Sequence, residues 1–381
     1  GYVEEFVLAV KVTLAALLLT GVVGFLVDRT LSRVLFLSLA LAMVVSRPLA
    51  TRLIDRIVGP PGPPSCVLAV CSEGEYRRLV TATAEHRNAT HFVHAPVASL
   101  VFSEASPRSE GGTSNVHELC ARLKPTKVAV GTEQLTNVDL RTELARVNEQ
   151  GMEVCSVASV FETDFGIVPV TCIDSSWFLF GLGPLHRLGY RFGRRLVDLV
   201  ASVVFAAVLI VLLPVIALGI RLDSPGPIFF SQERVGQGGR LFRIHKLRTM
   251  QTDAEVGGPQ FAEHDDPRVT RVGAWLRRSR IDELPQALNL VRGEMSLIGP
   301  RPERPEFVAE FSEAIPFYDK RHLIKPGITG WAQVHEGYGA SHDDTMRKLE
   351  RDLYYVLKQS LGVDLRIVLA TVGSVFSFAG R

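Results

Sequence analysis

LVDLVASVVFAAVLIVLLPVIALGI, residues 196–220, is the stretch that decides how this chain is read. It is long enough for a membrane span, which needs ~20 apolar residues. Both of its flanks are basic, with Arg191, Arg194 and Arg195 before it and Arg221 after it. Basic residues mark the cytoplasmic end of a span, so two basic ends argue against a single crossing. Pro214 falls in the second half, where it removes a backbone hydrogen bond and kinks or breaks a helix. A helix that enters the membrane, breaks at Pro214 and returns to the same face satisfies length, charge and proline together.

Upstream, Phe6 to Val27 is almost unbroken apolar sequence, with Lys11 placed to snorkel from near one end. A weaker run, Val34 to Val45, extends through Pro48 and Leu49 and is followed by Arg47, Arg52 and Arg56. Residues 1–58 therefore read as transmembrane helices whose last end faces the cytoplasm; buried core helices are the soluble alternative. The chain opens with Gly1 rather than Met, so the set of spans is expected to be incomplete. With residues 58–190 on the cytoplasmic side, one crossing at 196–220 would put everything downstream outside. Parity thus favours the re-entrant reading.

Across 381 residues, 47% are hydrophobic and 42 Lys+Arg nearly balance 40 Asp+Glu. No domain carries the basic excess of a nucleic-acid binder, so nucleic acid is not an expected partner. Cys66, Cys71, Cys120, Cys155 and Cys172 lack zinc-ligand spacing and read as reduced thiols.

Gly59 to Pro64, a run of Gly and Pro, forms a linker that no regular element can cross. Beyond it, strands at Cys66–Cys71, His91–Val97, Lys127–Gly131 and Met152–Val157 alternate with helices at Glu75–His86, Val116–Leu123 and Asp139–Gln150. That alternation indicates a parallel, Rossmann-like α/β domain over residues 65–180. Its first turn, Cys71-Ser72-Glu73-Gly74-Glu75, has one glycine where a dinucleotide fingerprint needs three, and places two acids where a pyrophosphate would approach. A regulatory or assembly role, including homodimer contacts, is expected instead.

The chemistry concentrates after Asp223. Gly236, Gly238 and Gly239 stand between two strand-like runs and read as a hairpin turn before they read as a phosphate cradle. Arg243, Lys246 and Arg248 put cations on the second run. Arg277-Arg278-Ser279-Arg280 then leads into Asp282-Glu283-Leu284-Pro285. Ser279 with Asp282 matches an ordinary capping box, and Pro285 suits a first helical turn. Either register puts both acids at a helix N-terminus beside arginines, where a phosphate would also be received. Pro300 and Pro302 stiffen the backbone around Arg301, and arginine binds phosphate through paired hydrogen bonds. Arg321, the turn Lys325 to Val334 with Gln333, and Asp352 complete the polar set.

The runs SPGPIFFSQERVG, KLRTM, DPRVTRVG, DELPQALNLVRGEMSLIGPRP, KPGITGWAQV and DLYYV together resemble the bacterial sugar transferase family, whose members are polyprenyl-phosphate hexose-1-phosphate transferases. The resemblance covers residues 187–381; the spans, the α/β domain and the Asp174-Ser175-Ser176-Trp177-Phe178-Leu179 junction look like the large, polytopic branch. It implies a re-entrant helix at 196–220 and a compact α/β catalytic domain on the cytoplasmic face of the bacterial inner membrane. It implies that Asp282 of an Asp-Glu dyad attacks a UDP-sugar, releasing UMP, and that undecaprenyl phosphate then takes the phosphosugar. Products of this kind begin capsule, exopolysaccharide and O-antigen units. Mg²⁺ is the implied cofactor, with Glu283 and Asp282 as its ligands; Lys246, Arg248, Arg278, Arg301, Arg321, Gln333 and Asp352 are the implied substrate-binding residues, Arg278 and Arg301 foremost. His245, where the family commonly has Tyr, and Arg280-Ile281 depart from the pattern without removing a charge of the site. A catalytically silent scaffold and a nucleotide-dependent oxidoreductase are the competing readings. The retained dyad counts against the first and the missing glycines against the second. No residue selects the sugar.

Overall fold

A computed structural model describes residues 66–86, 90–96, 115–173, 177–178, 188–252, 254, 266–336 and 341–376. The spans expected within residues 1–58 and the linker 59–64 lie outside the described residues. The elements below belong to the compact unit Pro63–Val372, with the last helix running on to Phe376.

The first half is built as its alternating pattern demands. Strand β1 (Cys66–Val70), helix α1 (Glu73–His86), β2 (His91–His94), α2 (Val116–Leu123), β3 (Lys127–Val130), α3 (Val138–Glu149) and β4 (Glu153–Ser156) form a four-stranded sheet in the order β2-β1-β3-β4. All three pairings are parallel, because helical crossovers return the chain to the same end of the sheet. The inner strands β1 and β3 are buried on both faces and accordingly read as continuous apolar runs, whereas the edges β2 and β4 are partly exposed. Asn115 and Asn137 cap α2 and α3 by accepting from Glu118 N and Leu140 N. At α1, Glu75 accepts from the Ser72 amide at 2.9 Å while Ser72 Oγ accepts from the Glu75 amide. The Glu75 carboxylate thus occupies the position over the α1 N-terminus where a dinucleotide's pyrophosphate would have to lie.

After β4 the chain makes a short helix α4 (Val157–Val160) and a π-type turn (Phe161–Phe165), ended by the left-handed Gly166. Residues 167–172 then run as a strap onto the second half. Val168 and Val170 share one core with Phe311, Ile315, Tyr318, Leu349 and Leu353.

Helix α5, Leu188–Asp223, runs 36 residues, or ~54 Å at 1.5 Å per residue. It is long and apolar enough to cross a membrane. The expected break at Pro214 does not occur: the helix continues through it. Pro214 is exposed, which leaves its ring room outside the helix, and residues on both sides of it belong to one apolar core. Leu209, Leu212 and Leu213 before the proline and Ile216 and Ile220 after it share that core with Leu247 and Leu276. The less exposed positions repeat every three to four residues along the whole helix, so one stripe faces protein. The other faces are bare hydrocarbon, with Val211 and Val215 each 75% exposed.

Both ends of α5 are tied to the same structure. Near the N-terminal end, Arg194 donates to Ser296 Oγ, Gln359 Oε1 and the Ile298 carbonyl, and Arg195 to the carbonyls of Leu290 and Val291. Asp198, 3% exposed, accepts from Ser296 Oγ and the Leu297 amide. At the other end, Asp223 accepts from the Val272 amide at 2.7 Å.

The second half follows. Strands β5 (Phe229–Val235) and β6 (Leu241–Leu247) form an antiparallel hairpin from Phe229↔Leu247 to Val235↔Leu241. Gly238 and Gly239 turn it at φ 67° and 77°, a conformation glycine adopts without penalty, so these glycines serve the turn. Then come α6 (Arg271–Arg278), α7 (Ala287–Arg292), β7 (Ser296–Ile298), α8 (Pro305–Ala314), β8 (Gly327–Thr329), α9 (Trp331–His335), α10 (His342–Lys358) and α11 (Leu361–Phe376). β7 and β8 pair in parallel. Gly330 allows their loops to approach: a Cβ there would stand 2.1 Å from the Gly299 carbonyl oxygen.

Candidate active site

The two acids are delivered by a chain reversal. Helix α6 ends at Ser279, whose hydroxyl donates back to the Trp275 and Leu276 carbonyls. Ser279 therefore closes the preceding helix, and its match to a capping box with Asp282 is accidental. Arg280 takes the left-handed conformation (φ 58°), and a 3-10 turn, Ile281–Gln286, carries the chain into α7. Asp282 and Glu283 occupy the first turn of that stretch with Pro285 behind them, and only 5% and 4% of their surfaces remain exposed.

Cations converge on this pair from three directions. From β6, Lys246 Nζ reaches Glu283 Oε1 at 3.0 Å and Asp282 Oδ2 at 3.9 Å. From the proline-flanked loop after β7, both terminal nitrogens of Arg301 lie 3.3 Å from Glu283 Oε1. Arg280 stands 3.8 Å from the same oxygen. Arg301 is the most exposed of the three, at 36% of its side chain, so the site opens on its side.

These neighbours separate two chemically similar groups. Burial alone would raise the Glu283 carboxyl, but Lys246, Arg301 and Arg280 hold it well below the usual carboxylate range. Asp282 goes the other way: burial pushes it up and the Glu283 charge adds to that, against Lys246, Arg277 and Arg301. Asp282 Oδ1 is buried without a hydrogen-bond partner, which leaves it available to an incoming group. Paired carboxylates with opposed environments are the arrangement by which one residue stays a fixed anion and its neighbour reacts.

The remaining expected residues divide. Arg321 and Asp352 form a buried pair, with Arg321 Nη2 2.7 Å from Asp352 Oδ2. Arg321 also binds Tyr318 Oη and the Arg301 carbonyl, so the pair braces the Arg301 loop. Arg248 is buried and donates to the carbonyls of Ser224 and Pro225, which fastens the turn between α5 and β5. Arg278 lies exposed in the last turn of α6, and no contact described for it joins it to the dyad. Its neighbours act instead: Arg280 on Glu283, and Arg277, bonded to Thr249 Oγ1, on Asp282. Gln333 is on α9 with its Nε2 buried and without a hydrogen-bond partner. The i,i+3 spacing of Arg280 and Glu283 was a usable sequence signal. The left-handed Arg280 left none.

Among the described residues no three His, Cys, Asp or Glu side chains converge as a metal cage. The unpartnered Asp282 Oδ1 and the adjoining Glu283 nevertheless fit a hard cation held by one or two carboxylates together with phosphate oxygens, the usual manner of Mg²⁺ in phosphate sites.

The sequence profile described as bacterial sugar transferase matches residues 189–378. The UDP-N-acetylgalactosamine-undecaprenyl-phosphate N-acetylgalactosaminephosphotransferase of Aeromonas hydrophila is 49% identical over 191 residues, 50% of this chain and 45% of that protein. The undecaprenyl-phosphate glucose phosphotransferase of Komagataeibacter xylinus is 44% identical over 185 residues, 47% of this chain and 35% of that protein. The UDP-glucose:undecaprenyl-phosphate glucose-1-phosphate transferase of Caulobacter vibrioides is 44% identical over 197 residues, 51% of this chain and 74% of that protein. The match thus spans less than half of the Aeromonas and Komagataeibacter proteins.

Proposed function

This chain belongs to the bacterial sugar transferase family, and from that premise we propose that it transfers a sugar 1-phosphate from a UDP-sugar to undecaprenyl phosphate, releasing UMP. The observation that carries the reading is the buried Asp282–Glu283 pair, with Glu283 neutralised by Lys246, Arg301 and Arg280 and Asp282 Oδ1 left without a partner.

In the first step Asp282 Oδ1 attacks the sugar-linked phosphorus. The bond between that phosphorus and the bridging oxygen breaks, UMP leaves with the electron pair, and an aspartyl phosphosugar forms. In the second step a phosphate oxygen of the lipid attacks the same phosphorus and returns Asp282 as a carboxylate. An acyl phosphate suits this role because carboxylate is a good leaving group. Asp282 must be ionised to attack, and Lys246 at 3.9 Å favours that state. Glu283 stays charged throughout and fixes Lys246 and Arg301, so these cations need no reorganisation as charge develops on the phosphoryl oxygens. Mg²⁺ held at Asp282 or Glu283 would neutralise charge on the diphosphate and on departing UMP.

A lipid acceptor and a nucleotide-sugar donor meet at the cytoplasmic face of the bacterial inner membrane, which is the location this reading implies. Two anchored ends support a helix α5 that dips its bare faces into the bilayer and keeps both ends on one side. The products would feed exopolysaccharide, capsule or O-antigen assembly.

The test is UMP release from UDP-glucose, UDP-galactose, UDP-N-acetylglucosamine and UDP-N-acetylgalactosamine by protein in nanodiscs, with undecaprenyl phosphate and Mg²⁺. Release with one donor, lost in Asp282→Asn, supports the reaction. Folded protein that releases UMP from none of them would sink it.

A further inference from the structure

Helix α10 buries three charged residues in succession: Glu350, Arg351 and Asp352 are 3%, 6% and 2% exposed. Consecutive helical positions point about 100° apart, so these three face three different neighbours, and each needs a partner to be buried at tolerable cost. Arg351 donates to Glu336 beyond α9. Asp352 accepts from Arg321, which in turn holds the Arg301 carbonyl at 3.0 Å. Glu350 faces the α/β domain. It accepts from Arg78 of α1 and from the Val170 amide at 3.0 Å, while its carbonyl accepts from the Val168 amide at 3.0 Å.

A continuous set of polar contacts therefore leads from α1 to the dyad. Arg78 meets Glu350; one half-turn along α10, Asp352 meets Arg321; Arg321 holds the Arg301 backbone; and the Arg301 guanidinium meets Glu283. Two features make the first contact firm. The strap residues Val168 and Val170 lie in the same apolar core as Leu349 and Leu353, the α10 residues on either side of the charged run. Trp331 Nε1, at the start of α9, also donates at 2.7 Å to the carbonyl of Gly166, the residue just before the strap.

We propose that Arg78 is a positioning residue for the transfer reaction: its contact with Glu350 sets the register of α10, so that Asp352 and Arg321 hold Arg301 on Glu283. The proposal rests on the reaction proposed above and gives the α/β domain a task within it. The domain's first helix acts on the catalytic cation from outside the site, without touching substrate.

The full chain in nanodiscs tests this with Arg78→Gln, Arg78→Lys, Arg301→Ala and the double variant Arg78→Gln/Arg301→Ala. Arg78→Gln is expected to lower UMP release roughly tenfold, the scale seen when a group that orients a site residue is lost, and Arg78→Lys is expected to restore most of it. The double variant is expected to be no slower than Arg301→Ala alone, because the two changes act on one chain of contacts. Amide hydrogen exchange across residues 299–304 is expected to quicken in Arg78→Gln. Unchanged exchange there overturns the linkage, and additive losses in the double variant overturn its assignment to Arg301. If Arg78→Gln fails to fold because Glu350 is left charged and alone, Arg78→Gln/Glu350→Gln is read in its place. If wild-type protein releases no UMP from any donor, the proposed reaction falls, and the exchange comparison still decides whether Arg78 orders the Arg301 loop.

Discussion

Lys246 Nζ lies 3.0 Å from Glu283 Oε1 but 3.9 Å from Asp282 Oδ2, so a single cation serves two adjacent carboxylates unequally. At an effective dielectric near 20 that difference is worth about 1 kcal/mol. Arg301 and Arg280 widen it, since both approach Glu283. The asymmetry is what assigns a fixed charge to one carboxylate and reactivity to the other.

Lys246→Met is therefore expected to lower UMP release by roughly 10²- to 10³-fold, the usual cost of deleting one preorganised charge. Both acids lose their shared cation, so the acid limb of the residual activity should also move to higher pH. A loss confined to KM, with kcat and the pH limb unchanged, would remove Lys246 from the chemical step.

The pH profile carries a sign of its own. Burial, with the Glu283 charge beside it, raises Asp282, and only its ionised form attacks. Activity should fall as pH drops through that raised value, on the high side of the ordinary Asp value near 3.9. Glu283→Gln removes the adjacent negative charge and frees Lys246 and Arg301 to face Asp282. The limb of whatever activity remains should shift to lower pH, which kcat/KM measured across pH will decide.

Gly330→Ala should destabilise the fold without touching a charged group. Its Cβ would meet the Gly299 carbonyl oxygen at 2.1 Å, and backbone cannot give way as a side chain can. A loss of about 1–3 kcal/mol is expected, visible as a lower melting temperature in detergent. An unchanged Tm would mean that the β7–β8 loops are looser than their close approach indicates.

Helix α5 should present both ends to one side of a membrane. In a background with the five native cysteines replaced, single cysteines at Gly189 and at Leu222 should react with an impermeant maleimide from the same face of sealed vesicles. Labelling from opposite faces would mean that α5 crosses.

Much of this architecture was readable in the chain. The helix Val116–Leu123 lies where periodicity placed it, and the four parallel strands fall within a few residues of their expected bounds, because buried inner strands and capped helices leave strong local signals. The charged cluster around Asp282 was equally plain, since a dense run of polar motifs has few structural explanations. Tertiary effects hid the rest. Pro214 signals a break, yet apolar contacts on both sides of it keep α5 whole. Ser279 imitates a cap because three-residue spacing cannot distinguish the start of one helix from the end of another. Arg278 ranked ahead of Arg248 and Arg321 in the sequence, and only the folded chain shows one as an exposed residue, one as a turn clamp and one as a buried brace. The strap at 167–172 has no periodicity to announce it; its role comes wholly from what it packs against.

The buried run on α10 also limits how freely such modules can be recombined. Glu350 is matched to an arginine that belongs to the preceding domain. A chimera that joined residues 188–376 to a foreign N-terminal partner would inherit the acid without its counter-ion, and orphaning a buried charge costs on the order of 3–5 kcal/mol. Chimera design at this junction therefore starts with Glu350, either made neutral in the graft or offered a guanidinium by the new partner.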